Sequence, residues 1–238
     1  MSKQIEVLFE NEMCLVFNKP AGLAVQGGAG VSNSLDSILM RDFSPRPLLV
    51  HRLDMDTSGV ILVAKDKNSA ACFSRILEEG THITKQYLAV CAGAPERMSG
   101  VIHLDIDVHG KSKRSKTLWT ALRTGSFPPS AGLDLKSRSY GGIFSVMELK
   151  PGTGRMHQLR RHMALTNTPI LGDGKYGDFY LNKILKKTMK LKHLLLHAFS
   201  LRIPFGLGVP PLDVQAPLPA HFQAFLEQTN CAFDADYS

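Results

Sequence analysis

The chain has 238 residues, 44% of them hydrophobic, enough for one large domain or two closely packed lobes with a sizeable core. Twenty-eight Lys and Arg against 21 Asp and Glu give a formal charge of +7, which favours a polyanionic partner, nucleic acid before acidic lipid. Four dispersed cysteines without a C-x-x-C pair argue against a disulfide framework; the first residues lack the apolar stretch of a signal peptide, and no run approaches the roughly 18 apolar residues of a membrane span, so a cytoplasmic protein off the membrane is expected.

Ile5–Phe9 and Leu15–Phe17 read as two short strands around a turn at Glu10-Asn11-Glu12. Asn18-Lys19-Pro20-Ala21-Gly22 is expected to break the second, since Pro20 fixes its own φ, restricts Lys19, and is followed by a glycine that permits a bend. Gly27-Gly28-Ala29-Gly30 is read as an ordinary mobile loop, because neither G-K-[ST] nor a βαβ-placed G-x-G-x-x-G accompanies it. A short helix is predicted over Ser34–Arg41. Pro47–Val50 and Val60–Ala64 are short, apolar and bounded by polar turn residues, as buried strands are. The link between them, His51-Arg52-Leu53-Asp54-Met55-Asp56-Thr57-Ser58-Gly59, carries an arginine, two carboxylates and two hydroxyls. A reversal of chain direction does not need that much polar chemistry, and this loop is taken as the reaction centre.

Lys67–Glu79 is predicted helical, capped by Asn68 and Gly80, with Ala71, Phe73, Ile76 and Leu77 on one face. Ile83–Cys91 reads as a strand with Leu88 and Val90 on one face and Lys85 and Tyr87 on the other. Val101–Val108 and Lys116–Leu122 are further strands, separated by the basic loop Lys111-Ser112-Lys113-Arg114-Ser115-Lys116, either a solvated turn or a phosphate contact. Gly125–Tyr140 reads as a long loop or insertion. Ile143–Lys150 is a strand, and a turn at Pro151–Arg155 leads into a helix beginning near His157, with Leu159, Met163 and Thr166 along one stripe and Arg160 and Arg161 beside it. After the loop Gly172–Gly177 come a basic helix over Tyr180–Leu191, a strand over Leu194–Ile203 and a helix over His221–Gln228. The irregular mixture points to an α+β fold around a mixed, largely antiparallel central sheet with flanking helices.

Two segments carry the candidate chemistry. Asp54 and Asp56 are the carboxylates of the first loop. The second, Arg155-Met156-His157-Gln158-Leu159-Arg160-Arg161-His162, places arginines at a helix start, which suits a phosphate or a carboxylate. No metal is expected: His157 and His162 are five apart, His193 and His197 lie in a predicted strand, and there is neither H-E-x-x-H nor a cysteine cluster. Ser58-Gly59 lacks the G-x-S-x-G setting of a serine nucleophile.

His51-Arg52-Leu53-Asp54-x-x-Thr57-Ser58-Gly59 resembles the signature of the RluA-like RNA pseudouridine synthases. Asn18–Gly22, Lys85–Ala89, Thr153–Arg160 with His162, Pro169–Asp173 to Tyr176-Gly177, Leu195–Ala198 and Ala216–Pro219 are similar to further family motifs in the same order. The resemblance runs from about Ile5 to Gln228 and is strongest to the branch modifying large-subunit ribosomal RNA. It departs in Met156, in the stretch Gly125–Gly142, and in the S4-type module that many ribosomal members carry and this sequence is expected to lack.

The resemblance implies a single catalytic domain over 1–238 with a central cleft, an RNA partner, and no cofactor or metal; with no sign of a dimer seam in the sequence, a monomer is the default expectation. It implies that uridine in a structured RNA, ribosomal before transfer RNA, becomes pseudouridine, with Asp54 acting at the ribose C1′. Arg160 is then the cation that keeps Asp54 ionised, and Tyr87 stacks on the base. Arg52 fills the space of the flipped nucleotide, Leu196 packs near the base, and Thr57, Arg155, His157 and Gln158 complete the substrate contacts. Two other readings compete: an RNA-binding or chaperone module without catalysis, and a metal nuclease built on Asp54 and Asp56.

Overall fold

A computed structural model of the chain describes residues 5–28, 33–80, 82–108, 110–133 and 140–231. The elements run β1 (Glu6–Glu10), β2 (Cys14–Lys19), α1 (Leu35–Asp42), β3 (Leu48–Leu49), β4 (Ser58–Ala64), α2 (Lys67–Glu79), β5 (Thr84–Ala92), β6 (Ser99–His103), β7 (Ile106–Val108) and β8 (Lys111–Lys113). They continue with β9 (Lys116–Ser126), β10 (Ile143–Pro151), α3 (Gln158–Leu165), α4 (Phe179–Thr188), β11 (Leu196–Ile203), β12 (Leu212–Gln215) and α5 (Ala220–Gln228). The class is α+β with mixed, mostly antiparallel strand pairing. The described parts of residues 1–87, 152–154 and 197–217 form one compact unit, and those of 88–151, 155–196 and 218–238 a second.

In the first unit the strands lie in the order β1-β2-β4-β11, with β3 on β4 and β12 on β11. β4 and β11 run parallel, and the other pairs are antiparallel. Every residue of β4 is buried, because both of its faces are covered. Val60, Leu62 and Ala64 pack with Phe73, Ile76 and Leu77 of α2, while Ile61 and Val63 pack with Phe17, Leu35, Leu39 and Leu53. Two-sided cover explains why this strand reads as a continuous apolar run.

Several local expectations change. β2 continues through Asn18 and Lys19, which pair with Val60 and Gly59, so Pro20 ends the strand and Lys19 does not break it. The cap of α2 is Asp66, whose Oδ1 accepts from the N–H groups of Asn68 and Ser69 at 2.8 and 2.9 Å. Asn68 lies inside the first turn, where its own N–H is one of the orphans needing an acceptor. The buried face is Ser69, Phe73, Ile76 and Leu77, and Ala71 is exposed.

In the second unit Leu88–Ala92 of β5, then β10, β9 and β6, lie in that order. β9 and β10 pair from Thr117–Pro151 to Ser126–Ile143, with one irregularity between Val146 and Met147. β9 therefore extends into the stretch read as a loop from Gly125, and a short 3-10 turn over Pro129–Ala131 follows. Residues 134–139 of that stretch lie outside the described residues, as do Ala29 and Gly30 of the glycine loop. Half of the basic loop is a strand: Lys111–Lys113 pairs antiparallel with Ile106–Val108. α4 begins at Phe179 and ends at Thr188, and β12 had no sequence signal, because prolines and glycines crowd its approach. All four cysteines are free thiols, and among the described residues no helix is long and apolar enough to cross a membrane.

Candidate active site

The loop from His51 to Ser58 is fastened along its whole length. At its start, His51 Nε2 accepts from the Leu62 N–H at 2.9 Å. Burial, and then the positive charge of Lys85, push this imidazole down to about 3, so it stays neutral. Leu53 is a core residue, and the Thr57 N–H donates to the Asp54 carbonyl at 3.1 Å, closing a turn around Met55 and Asp56. At its end, Ser58 Oγ lies 2.9 Å from His197 Nδ1. Gly59 has φ 107°, and a Cβ there would sit 2.1 Å from the Ala198 carbonyl oxygen, so only glycine lets β4 approach β11 at this point.

Lys19 holds the middle of the loop. Its side chain is fully buried, and its ammonium donates to the carbonyls of Pro20, Leu23 and Met55 at 3.0, 2.7 and 3.0 Å. Three donors meet three acceptors, which satisfies the group without solvent. Burial pushes its pKa down to about 8, and the negative charges of Asp56 and then Asp54 oppose that. The Met55 carbonyl also accepts from the Gly22 N–H at 2.9 Å, so the motif Asn18–Gly22 is the mount of the Asp54 turn.

Asp54 is half-buried. Tyr87 is half-buried and packs against the cluster containing Leu53 and Ala198. Loss of solvent, and then the charge of Asp54, push the Tyr87 phenol above the ordinary tyrosine value. The first unit therefore brings together a carboxylate and a phenol that stays protonated, with Arg52 exposed nearby in sequence and Thr57 buried.

The second unit builds its cluster at the start of α3. His157 precedes the helix with φ 53°, a left-handed conformation uncommon for a residue with a side chain. Its Nδ1 lies 3.0 Å from the Tyr176 hydroxyl, which fixes the ring. Gln158 is buried, and its amide ties Arg155 N–H to the carbonyl of Lys116 at 3.1 and 2.8 Å. Arg160 is buried too, and donates from Nε and Nη2 to the two carboxylate oxygens of Asp173 at 2.8 and 2.7 Å. Its guanidinium carbon stands 5.4 Å from the centre of the Tyr176 ring. Burial alone would raise the Asp173 carboxyl, but the hydrogen bonds from Arg160 and from the N–H groups of Tyr176 and Lys175 hold it below the usual carboxylate range. Arg155 is exposed, and Leu196 is a core leucine at the first position of β11.

Sequence reasoning had given no role to Lys19, Asp173 or Tyr176. Each belongs to a stretch already noticed, Asn18–Gly22 or Gly172–Gly177, but no spacing rule says that a lysine turns inward onto three carbonyls. Among the described residues no group of three or more His, Cys, Asp or Glu is arranged to hold a metal.

A family model described as RNA pseudouridylate synthase matches residues 13–165, from β2 through the Asp54 turn and Tyr87 to the end of α3. The chain belongs to the RNA pseudouridylate synthase family. Ribosomal large subunit pseudouridine synthase C of Rickettsia typhi is 33% identical to it over 223 residues, covering 91% of this chain and 69% of that one. The protein of the same name from Pasteurella multocida is 33% identical over 224 residues, covering 93% of this chain and 67% of that one. Among solved structures, human RNA Pseudouridylate Synthase Domain Containing 1 superposes with a TM-score of 0.73 at 26% identity, covering 96% of this chain and 88% of that chain. A pseudouridylate synthase is an isomerase. The C1′–N1 bond of uridine is exchanged for a C1′–C5 bond, so the site must stabilise a reacting ribose, hold the detached base, and move one proton from C5.

Proposed function

We propose that this pseudouridylate synthase acts on large-subunit ribosomal RNA, with Asp54 as the nucleophile. The names of its relatives support the substrate. The observation that carries the chemistry is that the firmly mounted Asp54 turn and Tyr87, which packs on the cluster of Leu53 and Ala198, lie in the same unit. Asp54 acts at the ribose C1′ as the C1′–N1 bond breaks, the uracil turns, and C5 bonds to C1′. The Tyr87 ring stacks on the base, and its neutral hydroxyl relays the proton lost from C5 while N1, freed from the sugar, takes up one proton, so the product is an isomer of uridine. Arg160, held by its two-point ion pair with Asp173, is assigned to the catalytic set on the strength of the family motif it sits in. A uridine within a helix is out of reach, so the target nucleotide is flipped and the exposed Arg52 occupies the gap. Since one chain provides every one of these residues, a monomer suffices, and the cytoplasm is where this substrate is met.

The test is to map pseudouridine in total RNA from cells with and without the protein. Loss at discrete positions of large-subunit ribosomal RNA is expected. Loss confined to transfer RNA would replace the substrate, and an unchanged map would remove the proposal.

A further inference from the structure

A cavity of about 430 Å3 opens within the second unit. It falls in the roughly 300–1,000 Å3 range of ligand pockets. None of the residues assigned above to the chemistry lines it. Its walls include Trp119 of β9, Met147 of β10, Met163 of α3, and the rim residues Glu96, Arg97 and Asn167. Trp119 is the only tryptophan of the chain. It pairs across the sheet with Gly100, where a Cβ would lie 2.8 to 2.9 Å from indole atoms. The glycine thus leaves the room that the indole occupies against β6, and a side chain there would displace it. The ring is half-buried, and its Nε1–H has no acceptor among the described residues. Met147 and Met163 are both buried and give a soft, polarisable floor. Glu96 and Arg97 are exposed, and among the described residues neither enters an ion pair. Lys111, Lys113, Arg114 and Lys116 lie on the segment that leads into β9.

We propose that this cavity receives an unpaired purine of the bound RNA, outside the nucleotide being isomerised. The proposal rests on RNA being the substrate. An aromatic ring over a thioether floor is a stacking platform, and stacking favours the larger base. The free indole N–H donates to the base or sugar, the Glu96 carboxylate accepts from an exocyclic amine, and Arg97 neutralises the adjoining phosphate.

Because Trp119 is the sole tryptophan, its emission reports on the cavity directly. Wild-type protein is titrated with single-stranded hexamers of adenylate and of uridylate, and pseudouridine formation on ribosomal RNA is measured on the same preparations. Expected is saturable quenching by oligoadenylate, with about tenfold tighter half-saturation than for oligouridylate. Arg97→Glu, at an exposed position that leaves the fold intact, is expected to weaken that quenching at least tenfold, and to raise KM on RNA with kcat unchanged. Silent Trp119 emission, equal response to both hexamers, or quenching unchanged by R97E each overturns the proposal. Pseudouridine formation by the wild type decides the functional reading separately, whatever the emission does.

Discussion

Arg160 and Asp173 form a two-point ion pair in the interior, Nε to Oδ2 at 2.8 Å and Nη2 to Oδ1 at 2.7 Å, with 6% and 1% of their side chains exposed. Such a fork fixes the plane as well as the position of the guanidinium. Removing the carboxylate strands a buried charge, which costs about 3–5 kcal/mol. Asp173→Asn is therefore expected to lower the unfolding free energy by an amount of that order, read by denaturant titration, and to lower kcat more than it raises KM.

The same pair gives an acid limb. The folded carboxyl of Asp173 titrates below its unfolded value of about 3.9, so the unfolded chain binds the proton more readily. The stabilisation is fully present above that unfolded value and is lost as pH falls through the folded one. Unfolding free energy measured from pH 6 downward is expected to fall more steeply in the wild type than in D173N below about pH 4.

Lys19 is expected to matter without touching substrate. Lys19→Met leaves three inward carbonyls without their donor, at about 1 kcal/mol or more each, partly offset by relief of a buried charge. A net loss of roughly 2 kcal/mol and a fall in kcat of about tenfold are expected, as the Met55 carbonyl shifts the Asp54 turn. With a folded value of about 8 against about 10.5 unfolded, the unfolded chain holds more protons between those limits. Wild-type stability is therefore expected to rise with pH across that window relative to K19M.

Asp54→Asn keeps the size of the side chain and removes its charge. Pseudouridine formation is expected to disappear, measured by mapping on RNA, while RNA affinity stays within about threefold of the wild type. Residual modification at the wild-type rate would mean that another residue is the nucleophile.

Tyr87→Phe keeps the ring and removes the hydroxyl. Strong loss of kcat with little change in RNA affinity is expected if the phenol works at the C5 proton. Since burial and Asp54 push that phenol above its ordinary value, the wild-type rate is expected to show no limb from tyrosine ionisation up to about pH 10.

The sequence alone determined the elements whose signals are local. The run Ser34–Arg41, the stretch Lys67–Glu79 closed by Gly80, and the apolar stretch Val60–Ala64 mark α1, α2 and β4 within a residue or two. The polar loop between two buried strands was legible for the same reason, since Asp54 and its neighbours stand out against apolar flanks, and the ordered motifs gave the family. Tertiary structure decided what depends on the far end of a side chain. Lys19 reads as part of the break after a strand and becomes the buried mount of the Asp54 turn, because its long stem reaches three carbonyls 1, 4 and 36 residues away. Asp173 looks like a turn residue and becomes the brace of Arg160, 13 residues away. Gln158 looks like a substrate contact, and its amide joins Arg155 to Lys116. A pattern in sequence reports which face a residue is on; only the packed chain reports which partner waits there.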